Sequence, residues 1–553
     1  MEAFQLLISN PRPALIALVA VPCLTVAVWW TISYIASPLR QYPGPFLAET
    51  PLTTRNSSGS PNLHSIGWTN WWRFFLVRTG SYHIGIKKLH EKHGPVVRIG
   101  PNTLDIDYPE LSKTLCGTDG KWKKVTYRVQ SPKGSYLKSK VLTINLQTEF
   151  YQNNSAIVNG KITYHLFSET NQANHARMKR PIVQYYSASS VLSLEPLMDK
   201  VIADFCRHLE TRFMGDNSKA FDLGEWIAFC SWDINVAASY SQRFGYMDKG
   251  HDYDHTISIA DKSLDYFAAV GQIPILDFLL DKNPVMRVGP PNLGNITRIS
   301  LEHLIARLQG KDANFDPEMP EFLQHFVDTK QTSPDLVDDG IIMGYLLVNL
   351  LAGADTTAII IRAIFYYALR EPRAYRKLEE EILHAAATVQ RLPQAAAVVR
   401  EATRLHPGVY MLLERYVPAP GLTLPDGRFV PAGVAVGINL YVAGRNACVW
   451  GADADVYRPE RWLRGHAPGA ADESEDEYRR RLRRFHAADL MFGGGSHVCI
   501  GRHLAQLEVY KVIATIVRRY HVELEDPARE WEVTGSWFTR QKGLRCRLRV
   551  RSS

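Results

Sequence analysis

No charged side chain occurs between Ala14 and Ala36, a run long enough to cross a bilayer as one helix. Trp29, Trp30 and Tyr34 gather near its end, where interfacial aromatics sit, and Ser37-Pro38 stops it. A cleaved signal peptide is the rival reading. The weak basic flank, Arg12 beside Glu2, and the length of the apolar run favour an uncleaved anchor. Pro43-Gly44-Pro45 then makes a stiff hinge. The organisation therefore reads as a short N-terminal segment (1–13), a transmembrane anchor (14–36), a proline-rich linker (37–60) and one large folded region (61–553). Within that region, Gly94 to Pro101 sets a short apolar run between turn formers and predicts a strand, with Thr103 to Ile106 as its hairpin partner. From about Ser190 to Leu383 the periodicity is mostly helical; beyond it, helices alternate with short strands and Gly/Pro turns. The fold class is mainly α with a small β region.

Two helices stand out. Ser333-Pro334-Asp335 looks like an N-cap followed by proline at the first helical position, and Pro372 ends the run near Arg370. Ile341 to Leu351 is apolar nearly all round, which predicts a buried helix. A second membrane span is the alternative, but Asn349 and Asp355 interrupt the run below the needed length. Arg502 to Tyr520 reads as another helix, with Leu504, Leu507, Tyr510, Ile513 and Val517 on one face.

The 553 residues are 46% hydrophobic, enough for a large core. The formal charge of +8 is a mild basic excess without a clustered patch or motif, which argues against nucleic-acid binding. Cys23, Cys116, Cys206, Cys230, Cys448, Cys499 and Cys546 are scattered and lack C-x-x-C spacing. They point to a reducing compartment rather than a disulfide framework or zinc site. Asp472 to Arg484 carries acids first, then arginines, with Glu475/Arg479, Asp476/Arg480 and Glu477/Arg481 spaced for i,i+4 pairs. A solvated helix explains it; a docking patch for an acidic redox partner is the sharper alternative.

The candidate chemistry centres on Cys499, in Phe492-Gly493-Gly494-Gly495-Ser496-His497-Val498-Cys499-Ile500-Gly501, just before the helix at Arg502. Unpaired N–H groups and the positive end of the helix dipole favour a negative sulfur there. The glycines let backbone approach a large flat group. A thiolate ligand to haem iron fits this setting; a buried structural cysteine is the usual alternative for a single thiol. The pattern Phe-x-x-Gly-x-His-x-Cys-x-Gly resembles the haem-binding signature of the cytochrome P450 family. Ala352-Gly353-Ala354-Asp355-Thr356-Thr357, in the long helix, matches that family's oxygen-activating motif. A buried acid and two hydroxyls in an apolar helix are costly unless used or satisfied. Thr356 bonding back to a carbonyl and Asp355 pairing with a neighbour would satisfy them, and Gly353 would allow a bulge and close approach of a cofactor face. The resemblance implies that Thr356 steadies dioxygen and that Asp355 relays protons to it.

Glu401 and Arg404 share one face of a short helix stopped by Pro407. Alone they read as a surface salt bridge. With Tyr457-Arg458-Pro459-Glu460-Arg461-Trp462 downstream, the resemblance implies a buried structural triad of Glu401, Arg404 and Arg461 that holds the Cys499 loop. It further implies the cytochrome P450 fold, with haem b between the long helix and the cysteine loop. Phe492, Gly493 and Gly501 would contact the haem, and Arg415, His497, His175 and Lys179 would meet its two carboxylates. His497 is charged only at low enough pH, and Lys179 in an arginine place loses two-pronged geometry. Phe267, Ile273, Ile275, Tyr410, Leu412, Trp537 and Phe538 fall in stretches that line the substrate pocket by analogy, and core packing explains each equally well.

The resemblance spans Pro43 to Leu548 and is most like the fungal pisatin demethylase-like branch, on Pro-Gly-Pro-Phe-Leu-Ala and Gly-Pro-Val-Val-Arg-Ile-Gly-Pro-Asn. It implies a monooxygenase held on the endoplasmic reticulum membrane by a single span, with its catalytic domain cytosolic. Such an enzyme inserts one atom of dioxygen into an apolar small molecule, in fungal secondary metabolism or detoxification. Electrons would come from NADPH through NADPH-cytochrome P450 reductase, with cytochrome b5 as a second donor, since no flavin or nicotinamide fingerprint is present. Rival readings are an O2-independent haem-thiolate isomerase or dehydratase, and an inactive or non-enzymatic haem binder from a mis-spliced gene.

Two stretches depart from the family pattern. The stretch between Lys124 and Thr148 is longer than expected: Val125 to Gln147 holds 23 residues, and its removal joins Lys121-Trp122-Lys123-Lys124 to Thr148-Glu149-Phe150-Tyr151. It begins with a GTN codon and can end with CAG, so it reads as a retained intron; a surface loop insertion is the thermodynamically cheap alternative. The connection from Glu381 to Arg400 is short, which predicts that part of the helix leading into Glu401 is missing.

Overall fold

The apolar run at Ile341 to Leu351 forms the middle of a 32-residue helix, Asp339–Arg370, about 48 Å long at 1.5 Å per residue. The computed structural model describes Leu24, Val28 and residues 37–45, 70–117, 121–124, 150–158, 161–214, 219–282, 288–290, 293–385, 392–466 and 472–551. The rest of the anchor (14–36) and the insertion at 125–147 lie outside the described residues. The long helix begins later than Ser333. Val337 N–H bonds to Ser333 C=O at 3.0 Å, closing a single turn, and Asp338 caps the helix by accepting from Ile341 N–H at 2.8 Å. Among the described residues it is the one helix long and apolar enough to cross a membrane, and half of its most apolar stretch is buried inside the protein. It is a core helix.

Helix Leu223–Tyr240 is buried almost throughout and runs along the long helix. Helix Arg502–Arg519 packs on the long helix too. Its buried face is Leu504, Glu508, Val509, Val512, Ile513, Ile516 and Val517, rotated from the predicted stripe so that a glutamate points inward. A five-stranded sheet lies to one side in the order Val96–Gly100, Thr103–Ile106, Ala435–Gly437, Arg415–Tyr416, Lys123–Lys124. The predicted hairpin pairs Val96 with Ile106. Residues 37–45 are docked on this sheet, where Arg98 N–H donates to Pro43 C=O at 2.7 Å, and on the separate strand Phe429–Pro431, where Tyr42 Oη donates to Phe429 C=O at 2.9 Å; Leu39 and Tyr42 are buried.

The helix leading into Glu401 is intact, against the expectation from its short connection. Pro393–Leu405 spans 13 residues with proline in its first turn. The Glu381 carboxylate receives Gln394 N–H at 2.9 Å and Ala395 N–H at 2.8 Å, satisfying donors a helix start leaves open. The charged segment forms helix Glu475–Ala488. Of its three expected pairs, Arg479 meets Glu475 at 2.9 Å. Glu477 instead turns back to complete a capping box with Ser474, and Arg481 pairs with Glu473 at 2.6 Å.

Candidate active site

Cys499 is held by its own loop. Its N–H bonds Phe492 C=O at 2.8 Å, and Gly493 and Gly495 take φ of 68° and 63°, where only glycine is unstrained. The central glycines pass over Cys116 rather than a flat ligand: a Cβ at Gly495 would lie 1.6 Å from the Cys116 carbonyl oxygen. Gly501, in contrast, has nothing within 4 Å of its Cβ position, and Gly493 meets only the His497 carbonyl oxygen at 3.8 Å. The Cys499 side chain reaches water, yet the surrounding protein pushes its thiol up, against the opposing influence of Gly501 N–H, Lys179 and Arg502. The helix end alone therefore does not outweigh burial at this sulfur.

Helix Gln172–Lys179 ties this loop to the long helix. Tyr345 Oη donates to Met178 C=O at 2.6 Å, and Lys179 Nζ donates to Ser496 C=O at 3.0 Å. On the long helix, Val348, Ala352 and Thr356 form a strip one turn apart, with Ala352 exposed and Val348 and Thr356 half-buried. Thr356 Oγ1 donates to Ala352 C=O at 2.6 Å. Asp355 points the other way, into the core, where its Oδ1 accepts from Trp232 Nε1–H at 2.7 Å and its Oδ2 has no partner among the described residues. Burial, and then the charge of Asp261, push its carboxyl up to about 7. Gly353 does not open a bulge. The helix is unbroken there, and a Cβ on Gly353 would lie 2.1 Å from Asn235 Nδ2. The residue exists to let helix Leu223–Tyr240 approach.

The four predicted anion-binding residues converge, and Lys124, which sequence reasoning missed, joins them. Lys124 and Arg415 face each other across the sheet, 4% and 7% exposed. Like charges directly opposite and out of water are unfavourable without a counter-charge. Glu169, the acid that acts on Lys124, gives its carboxylate to Asn171 N–H at 2.7 Å and Asn174 Nδ2 at 3.4 Å. The His175 and His497 rings meet at 4.2 Å between centroids, tilted by 49°. Burial, reinforced by Lys124, Lys179 and Arg415, lowers His175 to about 4 and His497 to about 2. His497 Nδ1 is buried without a partner among the described residues. Arg415 Nη1 donates to Tyr151 Oη at 3.0 Å. The only sequence signal for Lys124 was the short basic run Lys121-Trp122-Lys123-Lys124.

Glu401 is fully buried and accepts from five donors. Arg404 Nε and Nη2 approach at 2.9 and 2.7 Å, Arg461 Nε at 2.8 Å, Trp462 Nε1 at 2.9 Å and Arg458 N–H at 2.9 Å. The remaining arginine donors go to backbone carbonyls of Gly444, Trp450, Asp453, Ala454 and Val456, and Arg461 Nη1 also reaches the Asp453 carboxylate at 3.3 Å. The network is closed, as a buried ion cluster must be to offset desolvation; Trp462 was not anticipated in it.

An aromatic box completes the region. Trp537 stands 5.1 Å from Phe267, 5.4 Å from Phe167 and 5.9 Å from Phe150, with Leu412 and Phe538 in the same buried cluster. Ile275 is not part of it and is 45% exposed. Tyr410 is buried but its hydroxyl pairs with His406 Nδ1 at 2.8 Å.

The cytochrome P450 family model matches residues 136–543. Cytochrome P450 monooxygenase cfoH of Aspergillus candidus is 39% identical over 542 residues, covering 96% of this chain and 92% of that protein. A cytochrome P450 monooxygenase of Aspergillus terreus is 31% identical, covering 91% and 94%, and cytochrome P450 monooxygenase cicH of Emericella nidulans is 30% identical, covering 93% and 94%. On these matches the chain, a mainly helical oxidoreductase with fungal relatives, belongs to the cytochrome P450 family of monooxygenases.

Proposed function

We propose that Cys499 would hold a haem b through its sulfur and that the enzyme inserts one oxygen atom from dioxygen into an apolar small molecule, in fungal secondary metabolism or detoxification. The residues fit the group. A dianion supplies what the Lys124–Arg415 pair and Lys179 lack, and His497 Nδ1 gains a partner, with His175 beside it. Phe492, Gly493 and Gly501 leave the loop open toward it. Haem bound through a thiolate supplies the oxidising chemistry, since electron density from sulfur favours O–O cleavage.

The observation that carries the monooxygenase reading is the Asp355–Thr356 pair. Thr356 directs its hydroxyl proton to Ala352 C=O, so its oxygen is left as an acceptor on the open strip of the helix. Asp355, the adjacent residue, stores a proton near neutral pH, the range in which an acid both holds and releases it readily. An isomerase or dehydratase that consumes no dioxygen has no use for that pair. Phe267, Trp537, Phe167 and Phe150 hold an apolar substrate and exclude water. Glu401, Arg404 and Arg461 fix the cysteine loop without touching substrate.

The uncharged run at 14–36 supports a single-span anchor on the endoplasmic reticulum membrane, with the catalytic domain cytosolic. Electrons come from NADPH through a separate reductase, with cytochrome b5 as a second donor; exposed Arg480 and Arg483 on helix Glu475–Ala488 suit an acidic partner. Incubation of the reconstituted enzyme with NADPH, reductase and ¹⁸O₂ against apolar metabolites that perturb its spectrum tests the proposal. One labelled oxygen in the product supports it. Conversion that proceeds without NADPH and dioxygen overturns it in favour of an isomerase or dehydratase.

A further inference from the structure

Asp355 has two carboxylate oxygens in unlike settings. Oδ1 takes the indole N–H of Trp232 at 2.7 Å, while Oδ2 is buried and unpartnered among the described residues. Trp232 is fully buried, on a helix that Gly353 allows within 2.1 Å of its Cβ position, at Asn235 Nδ2. The donor thus lies one turn from a close approach between the two helices. A carboxyl oxygen that accepts a short N–H bond is a poor place for the acid proton, because the indole is a donor only. We infer that Trp232 is a positioning residue that fixes the Asp355 carboxyl and assigns its proton to Oδ2, so the acid presents one oxygen as an anchor and the other as the carrier.

The inference rests on the reading of Asp355 as a proton store. The charged groups around Asp355 are Asp261 of helix Thr256–Val270, Arg540 of strand Thr539–Lys542 and Arg362 one and a half to two turns along its own helix. The acid raises the carboxyl and the arginines lower it. Among the described residues none of them hydrogen-bonds Asp355, so Trp232 alone sets its orientation by a direct bond.

The test is an infrared titration of the protonated-carboxyl band in haem-loaded, full-length protein, comparing wild type with Trp232→Phe, Trp232→His and Asp355→Asn. The band that Asp355→Asn abolishes belongs to Asp355. Losing a hydrogen bond to the charged form should move its midpoint up by about one to two pH units in Trp232→Phe. Trp232→His, which keeps an N–H donor, should restore most of that shift. If Trp232→Phe fails to load haem, the benzothiophene analogue of tryptophan at position 232 keeps the shape without the N–H and gives the same reading. A folded Trp232→Phe or analogue protein whose band titrates as wild type overturns the positioning role and leaves the Asp355 reading standing. A spectrum in which Asp355→Asn removes no titrating band overturns the proton store itself.

Discussion

Glu508 is the least comfortable residue in the helix that follows Cys499. It is 1% exposed, its Oε1 has no partner among the described residues, and burial, partly offset by the Ser231 hydroxyl, pushes its carboxyl up to about 8. The folded protein therefore keeps a proton that the unfolded chain releases above its ordinary value of 4.5. Stability from this group is full below about pH 4.5, declines as pH rises, and levels off above about pH 8. At pH 7 the loss is about 3 kcal/mol, from about 2.5 units at 1.36 kcal/mol each. Glu508→Gln keeps the shape and a donor while removing the titration. Urea unfolding of both proteins from about pH 5 to about pH 8.5 should give similar midpoints at the acid end and a variant more stable by about 3 kcal/mol near pH 7. Wild-type and variant curves that run parallel across the range would refute the buried-carboxyl argument.

Glu401→Gln should cost about 3–5 kcal/mol, because buried Arg404 loses its counter-charge and Arg461 keeps only Asp453, at 3.3 Å; a lower thermal midpoint and a smaller haem-loaded fraction measure it. Lys124→Met should weaken haem retention, seen as faster transfer of haem to apomyoglobin, with little change in the Cys499 ligand spectrum. A spliced transcript joining the codons of Lys124 and Thr148 is expected for the stretch 125–147; full-abundance cDNA that keeps the 69 nucleotides, three per residue over the 23 residues of that stretch, would show an ordinary loop.

Local chemistry made much of the site legible in the sequence. The Phe492–Gly501 signature, the Asp355-Thr356 pair and the i,i+3 spacing of Glu401 and Arg404 are each compact enough to read along the chain. Features set by tertiary approach were not. Gly353 looked like room for a cofactor, yet Asn235 on another helix occupies that space. Gly494 and Gly495 looked like a cradle, yet Cys116 lies under them. Lys124 gave almost no signal because its meaning comes from Arg415, 291 positions later in the sequence, across one pair of strands. The long helix starts at the Asp338 cap rather than at Ser333, which closes only a single turn, and Val337 between them is buried.

The claim on which the rest depends is the sulfur of Cys499. The carbon monoxide difference spectrum of the reduced full-length protein should show the absorbance of thiolate-ligated haem, and Cys499→Ala should abolish it. A spectrum that lacks that absorbance, or one that survives in Cys499→Ala, would contradict the account.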